Sequence, residues 1–175
     1  GRGLFAHVGN YVDVQVVNET GSPMQNMNVA VLDEDGNPAA RGLTNATGHS
    51  AGLTYREYFL TQDGQIPMSQ HEIIAFAFDG FNVTYGENIT SLSPGSQVII
   101  KTAENPPDVE IWNPSHIISV NQVYLGVKII ALGDIDIINN SELFLNDSEI
   151  MIFSANELAS TFHCRESYLT LCNST

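Results

Sequence analysis

The chain has 175 residues, with 20 acidic and 6 basic side chains and a formal net charge of −14. Only 15% of residues are charged, against about 25% in an ordinary soluble domain, so the bases are scarce rather than the acids abundant. Six scattered Lys and Arg cannot neutralise a phosphate backbone or form a polybasic patch, so neither nucleic acid nor an anionic membrane surface is expected as a partner. At 43% hydrophobic the chain is not of disordered composition and can bury a core.

No segment approaches the ~18 consecutive apolar residues of a membrane span, and no basic-then-apolar start resembles a signal peptide. Within Gly1–Asn10, Leu4, Ala6 and Val8 alternate with Phe5 and His7, which gives strand character without a core of its own. Such a strand either completes its own sheet or, with Leu4, Phe5, Ala6 and Val8 as donor residues, adds to a neighbour's sheet.

Val12, Val14 and Val16 alternate with Asp13 and Gln15, the period of a half-buried strand. After the turn Glu19–Pro23, a second strand carries Met27, Val29 and Val31 and ends at Asp33-Glu34-Asp35-Gly36-Asn37-Pro38, where Asp-Gly is a strong hairpin signal. Short strands follow at Arg41–Thr44, His71–Phe78, Phe81–Thr84, Ile89–Leu92 and Gln97–Thr102, punctuated by Asn45–Gly48 and Asp79-Gly80. Thr54–Leu60 reads as one or two helical turns. The pattern predicts an all-β sandwich over residues 11–103. Glu104-Asn105-Pro106-Pro107-Asp108 is a linker or sharp crossover, because two prolines fix φ and remove donors.

Beyond the linker, residues 109–175 form a second β-rich region with a tandem seven-residue repeat. Asn139-Asn140-Ser141-Glu142-Leu143-Phe144-Leu145 is followed by Asn146-Asp147-Ser148-Glu149-Ile150-Met151-Ile152. Asn and Ser beside β-branched residues disfavour a helix, so each repeat reads as a tight turn plus a short strand. A meander or second sandwich is the preferred arrangement, with a β-helix stub as the lesser alternative because two units are too few for a solenoid. Cys164 and Cys172 near the end read as a disulfide clipping a terminal hairpin, since no fourth ligand accompanies them and His163 for a zinc site.

Asn-X-Ser/Thr occurs at Asn18, Asn45, Asn82, Asn88, Asn139, Asn146 and Asn173. With 16 Asn and 25 Ser plus Thr in the chain, chance gives roughly two such triplets. The excess reads as N-glycosylation at exposed positions of an exported protein; the competing reading is that Asn and Ser/Thr both favour turns.

Catalytic chemistry has few candidates. Asp33, Asp35 and Asn37 form a weak Ca²⁺ candidate without the closing glutamate of an EF-hand loop, and an exposed hairpin turn explains them better. Asp134 and Asp136 do not amount to a glycosidase pair, and His7, His49, His71, His116 and His163 share no ligand spacing. Trp112 and Tyr124 offer a sugar-stacking pair, although a lone Trp more often anchors a core. No cofactor and no enzymatic activity are expected.

The order Val-X-Val, Glu19–Pro23, Val29-Ala30-Val31, Asp35–Pro38, Thr44-X-X-X-Gly48 and Ala75–Phe78 with Asp79-Gly80-Phe81 resembles carboxypeptidase regulatory-like domains, immunoglobulin-like β-sandwiches of prokaryotic cell-surface proteins. The resemblance covers about 95 residues and departs at Ser50–Gln70, a longer insert than that family's short return. It implies a spacer or assembly role and carries over no catalytic residues. The Asn/Ser-punctuated repeat is similar to rungs of archaeal surface β-helix proteins. Together these features resemble subunits of prokaryotic extracellular filaments: a head-to-tail homopolymer joined by strand addition through Gly1–Tyr11. The alternative is an adhesin-type or carbohydrate-binding module that uses the 50–70 insert.

Overall fold

The computed structural model describes residues 6–34, 36, 38–61, 64–113, 115–153, 162–164, 168–172 and 174. All regular structure among them is β. The chain divides into two compact units, Gly1–Asn105 and Pro106–Thr175.

The first unit contains β1 (Ala6–Asn18), β2 (Asn28–Leu32), β3 (Pro38–Leu43), β4 (His49–Thr61), β5 (Gly64–Pro67), β6 (His71–Phe78), β7 (Val83–Thr90) and β8 (Gln97–Glu104). They form one eight-stranded sheet in the order β3-β2-β6-β7-β8-β1-β4-β5. All pairings are antiparallel except β1 with β8, which run parallel from Asp13–Gln97 to Asn18–Thr102. The sheet curls until β3 meets β4: a Cβ on Gly42 would lie 2.5 Å from Ser50 Oγ and 3.1 Å from a Leu53 methyl. Alternate residues fill the enclosed space, with Val12, Val14 and Val16 from β1, Val29 and Val31 from β2, Leu53 and Tyr55 from β4, Ile73 and Ala75 from β6, and Val98 and Ile100 from β8.

Two expectations fail here for local reasons. Residues 54–60 are strand rather than helical turns, because Leu53 and Tyr55 are buried while Thr54 faces solvent. The Phe81–Thr84 and Ile89–Leu92 strands are one strand, β7, which runs through Gly86. That glycine is not a break but a close approach, since a Cβ there would sit 2.3 Å from the Lys101 carbonyl oxygen.

The second unit holds β9 (Val109–Trp112), β10 (His116–Ile118), β11 (Gln122–Leu125), β12 (Lys128–Ala131), β13 (Ile135–Ile137), β14 (Glu142–Asn146), β15 (Glu149–Ile152), β16 (Phe162–Cys164) and β17 (Tyr168–Cys172). Each of its three sheets takes one strand from every circuit of the chain: β9-β12-β15, β10-β13-β16 and β11-β14-β17. Every pairing is parallel, so the region is a three-rung parallel solenoid. The meander or second sandwich is thereby corrected in favour of the lesser alternative.

The tandem heptad does not stack on itself. Its two copies end in β14 and β15, which lie in different sheets, so the seven-residue period follows successive faces of the solenoid, from the last strand of the middle rung to the first of the third. The stacking period is longer, with Val109 opposite Lys128 and Leu143 opposite Leu169. A middle rung of Ile129, Ala131, Ile135, Ile137, Leu143 and Leu145 supplies most of the core.

Candidate assembly and glycan-acceptor surfaces

Two of the Asn-X-Thr triplets fold into the same five-residue loop. In Asn18–Ser22, Asn18 Oδ1 accepts from the Thr20 N–H (3.0 Å), the Thr20 hydroxyl (2.8 Å) and the Ser22 N–H (2.8 Å). In Asn45–His49, Asn45 Oδ1 accepts from the Thr47 N–H (2.9 Å), the Thr47 hydroxyl (2.8 Å) and the His49 N–H (3.1 Å). The backbone closes both loops identically. Asn18 N–H donates to the Ser22 carbonyl and Gly21 N–H to the Asn18 carbonyl, and the bonds from Asn45 to His49 and from Gly48 to Asn45 repeat them. Gly21 (φ 87°) and Gly48 (φ 76°) occupy the left-handed step that each loop requires. The sequence Asn-X-Thr-Gly is therefore a turn motif as well as a glycan-acceptor triplet, and the Asn side chain serves as the acceptor of an Asx-turn.

The other triplets differ. Asn82 is exposed and braced from both sides: its Nδ2 donates to Asp79 Oδ2 (3.3 Å), and its Oδ1 accepts from Asn105 Nδ2 (3.1 Å). Backbone donors from Phe81 and Asn82 hold the Asp79 carboxyl below its ordinary range. Asn88 lies on β7, half-buried, with Nδ2 3.4 Å from the Ile99 carbonyl. Asn139 is exposed in a left-handed pair with Asn140, at φ 61° and 55°. Asn146 is half-buried and donates to Asp147 Oδ2 at 2.9 Å. Asn173 lies outside the described residues. The expectation of uniform exposure is thus met at Asn45, Asn82 and Asn139, while Asn18, Asn88 and Asn146 are half-buried.

Three of the Asn-X-Thr triplets gather at one end of the first unit. Asn18 ends β1 and pairs with Thr102 near the end of β8, while Asn45 precedes β4, whose His49 pairs with Gln15. Asn82 precedes β7, where Thr84 pairs with Glu104. At roughly 3.3 Å per residue, the thirteen residues of β1 carry the chain about 40 Å to the opposite end.

That far end is a ribbon of β1, β4 and β5, in which Ala6 pairs with Leu60 and Tyr58–Thr61 pairs with Gly64–Pro67. Gly1–Asn10 is therefore not a separate strand: from Ala6 onward it is the start of β1, joined to its own sheet. Leu4 and Phe5 lie outside the described residues, as do the side chains of Ala6 and His7; Val8 is half-buried. Since β8 joins β1 only at Asp13, the edge of residues 6–12 away from β4 pairs with no described strand, and neither does the outer edge of residues 65–67 in β5. Tyr11 (65% exposed) and Ile66 (53%) are apolar side chains on this ribbon. The 50–70 insert is the long β4–β5 hairpin that builds it.

Asp33 is neither an exposed turn residue nor a free cation ligand. It is 3% exposed and its carboxylate pairs with the Arg56 guanidinium on β4. Asp35 and Asn37 lie outside the described residues, among which no three His, Cys, Asp or Glu gather as a metal site. Beside the pair, His71 Nε2 lies 2.6 Å from the Arg56 carbonyl and its ring meets Tyr55 edge-on at 5.2 Å.

In the solenoid, Trp112 anchors the core at 4% exposure. It stacks on His116 at 4.3 Å and leans on Tyr124 at 5.7 Å, and its indole N–H donates to Glu110 Oε2 at 3.1 Å. Burial pushes the Tyr124 hydroxyl up to about 12, helped by the Glu110 charge, and burial also lowers the His116 imidazole. These residues pair in register with Ile129, Ala131, Ile135 and Leu145 of the next rung. They close the top of the apolar stack with polar-tipped side chains rather than presenting a sugar platform.

A serine ladder holds one corner: Val127 N–H donates to Ser148 Oγ and Ser148 N–H to Ser174 Oγ, both at 3.1 Å. Cys172 carries a free thiol and pairs in register with Asn146, while Cys164 pairs with Ile137 and its side chain lies outside those described. The expected Cys164–Cys172 bridge therefore lies outside the described residues.

No signal in composition pointed to the Asp33–Arg56 pair. The recurrence of Asn-X-Thr-Gly would have revealed the paired turns. No helix among the described residues is long and apolar enough to cross a membrane. No protein-family model matches the sequence, and no curated protein matches it.

Proposed function

We propose that the protein is a structural subunit of an extracellular, N-glycosylated filament or cell-surface assembly, built by β-strand addition through Gly1–Tyr11. The observation that carries the reading is the division of the first unit. One end gathers Asn18, Asn45 and Asn82; the other carries two strand edges, residues 6–12 and 65–67, that pair with no described strand, exposed side chains at Tyr11 and Ile66, and no acceptor triplet between residues 49 and 78. An open edge invites pairing with another chain. The two edges, on β1 and on β5, are different surfaces, so joining one to the other in the next copy extends without closing. Sugars at the acceptor end would supply the hydrophilicity that so few charged residues leave wanting, and keep assembly to the bare ribbon. The resemblance to carboxypeptidase regulatory-like surface domains agrees with a spacer or assembly role.

Negative-stain microscopy of protein from its native source tests the reading. Filaments or ordered arrays are expected, and they should disappear when residues 1–10 are deleted or when Tyr11 and Ile66 are both changed to Lys. Native protein that stays monomeric at every concentration, or filaments that survive the double substitution, would overturn it.

A further inference from the structure

We infer that Asn18 and Asn45 are the favoured glycan acceptors of the folded chain, and that each is also the keystone of its own turn. The inference rests on the N-glycosylation part of the reading above and makes it site-specific. In both loops the Asn side chain braces the turn through Oδ1 alone, which takes three donors beside the backbone bonds, while neither Nδ2 hydrogen-bonds to a described residue. Glycan attachment uses the other atom. The Nδ2–C1 bond forms, the C1–O bond of a glycosyl phosphate donor breaks, phosphate leaves with the electron pair, and Nδ2 gives up one proton. The amide oxygen is untouched, so modification leaves the turn intact.

The remaining described triplets lack this separation of roles. Nδ2 is already a donor to Asp79 at Asn82, to the Ile99 carbonyl at Asn88 and to Asp147 at Asn146, and each of those bonds must be disturbed or bent aside for transfer. Asn139 is exposed and lies in a turn closed by the bond from Ser141 N–H to the Ile138 carbonyl, but its side chain accepts from no described residue. The Thr hydroxyl of both favoured sites lies 2.8 Å from Oδ1, so the amide is held in one orientation, exposed at Asn45 and half-buried at Asn18.

Peptide mapping by mass spectrometry of native protein reads occupancy at each position, and Asn→Asp separates the two roles because Asp keeps the acceptor oxygen and removes the nitrogen. Asn18 and Asn45 should carry sugar in most molecules, at several-fold higher occupancy than Asn82, Asn88 and Asn146. In full-length protein made without glycosylation, Asn18→Asp and Asn45→Asp should melt within about 2 °C of the parent. Asn45→Ala should melt several degrees lower, as loss of a comparable capping bond does in a unit of this size. Bare Asn18 and Asn45 beside modified Asn82 or Asn146 would overturn the inference while sparing the glycoprotein reading; bare peptides throughout would overturn both. Asp variants that melt as low as the Ala variant would remove the keystone role.

Discussion

In the first unit, four of the seven pairings join consecutive strands, as β2 does with β3 across Asp33–Asn37 and β6 with β7 across Asp79–Asn82. In the second, every strand pairs with one a full circuit away, as Ile137 does with Ile118 before it and Cys164 after it. Antiparallel pairing lets glycine and Asx-turns decide the geometry locally. Parallel stacking moves the decision to corners, where Gly126 (φ 65°) and Asp147 (φ 49°) turn the chain and each donates its N–H to the next rung, at 2.9 and 3.0 Å. Two solutions to burying an apolar core therefore sit in one chain, and they should respond differently to substitution.

The largest expected effect is in the solenoid. Ile137 is fully buried in the middle rung, and Ile137→Ala should cost about 3–4 kcal/mol through lost burial and an unfilled cavity. Trp112 is the chain's single tryptophan and lies in this unit, so the loss should appear as an earlier transition in tryptophan fluorescence. An unchanged transition would deny that the rungs share one core.

Gly86→Ala probes the curled sheet. A methyl 2.3 Å from the Lys101 carbonyl and 2.9 Å from an Ile100 methyl should cost about 2–3 kcal/mol, read by chemical denaturation. A neutral result would mean that β7 and β8 need not approach so closely. Ser148→Ala should cost about 1–2 kcal/mol, because it deprives the Val127 N–H of its acceptor and the Asn146 carbonyl of one of its two donors, the other being the Gly126 N–H. Comparing that loss with the cost of Asn45→Ala sets a solenoid corner against an antiparallel turn.

The smallest effects concern pH. His116 titrates below its ordinary 6.5 when folded, so the unfolded chain takes up its proton first, and the solenoid should lose stability as pH falls through 6.5. Tyr124, raised from 10.0 to about 12, holds its proton in the fold after the unfolded chain has released it, so stability should also fall between pH 10 and 12. Fluorescence-monitored melts at pH 5, 7.5 and 11 check both directions; equal midpoints would show that His116 and Tyr124 of the first rung are solvated.

The antiparallel unit is largely legible in sequence because its signals are local. The Val12–Val14–Val16 alternation marks β1, Asp35-Gly36 marks the β2–β3 hairpin, and His71–Phe78 is β6. What local signals miss is proximity in space. Gly86 reads as punctuation until Lys101 is placed against it, and Asp33 reads as a turn residue until Arg56 reaches it from β4. The solenoid is less legible because its most visible period is misleading. Asn139 and Asn146 mark successive corners of the solenoid, whereas the stacking pairs carry different residues, such as Gln122, Leu143 and Leu169 in one column. The acceptor triplets had two competing explanations in sequence, sugar or turn. At Asn18 and Asn45 the turn is formed, and its geometry leaves the amide nitrogen without a hydrogen bond to any described residue.

The measurement that bears most directly on the division of the first unit is hydrogen exchange, compared between dispersed and assembled protein. Strand addition at the ribbon predicts new amide protection confined to residues 6–12 and Gly64–Pro67, with the Asn18 and Asn45 turns unchanged. Protection appearing at those turns instead, or nowhere in the ribbon, would contradict the account.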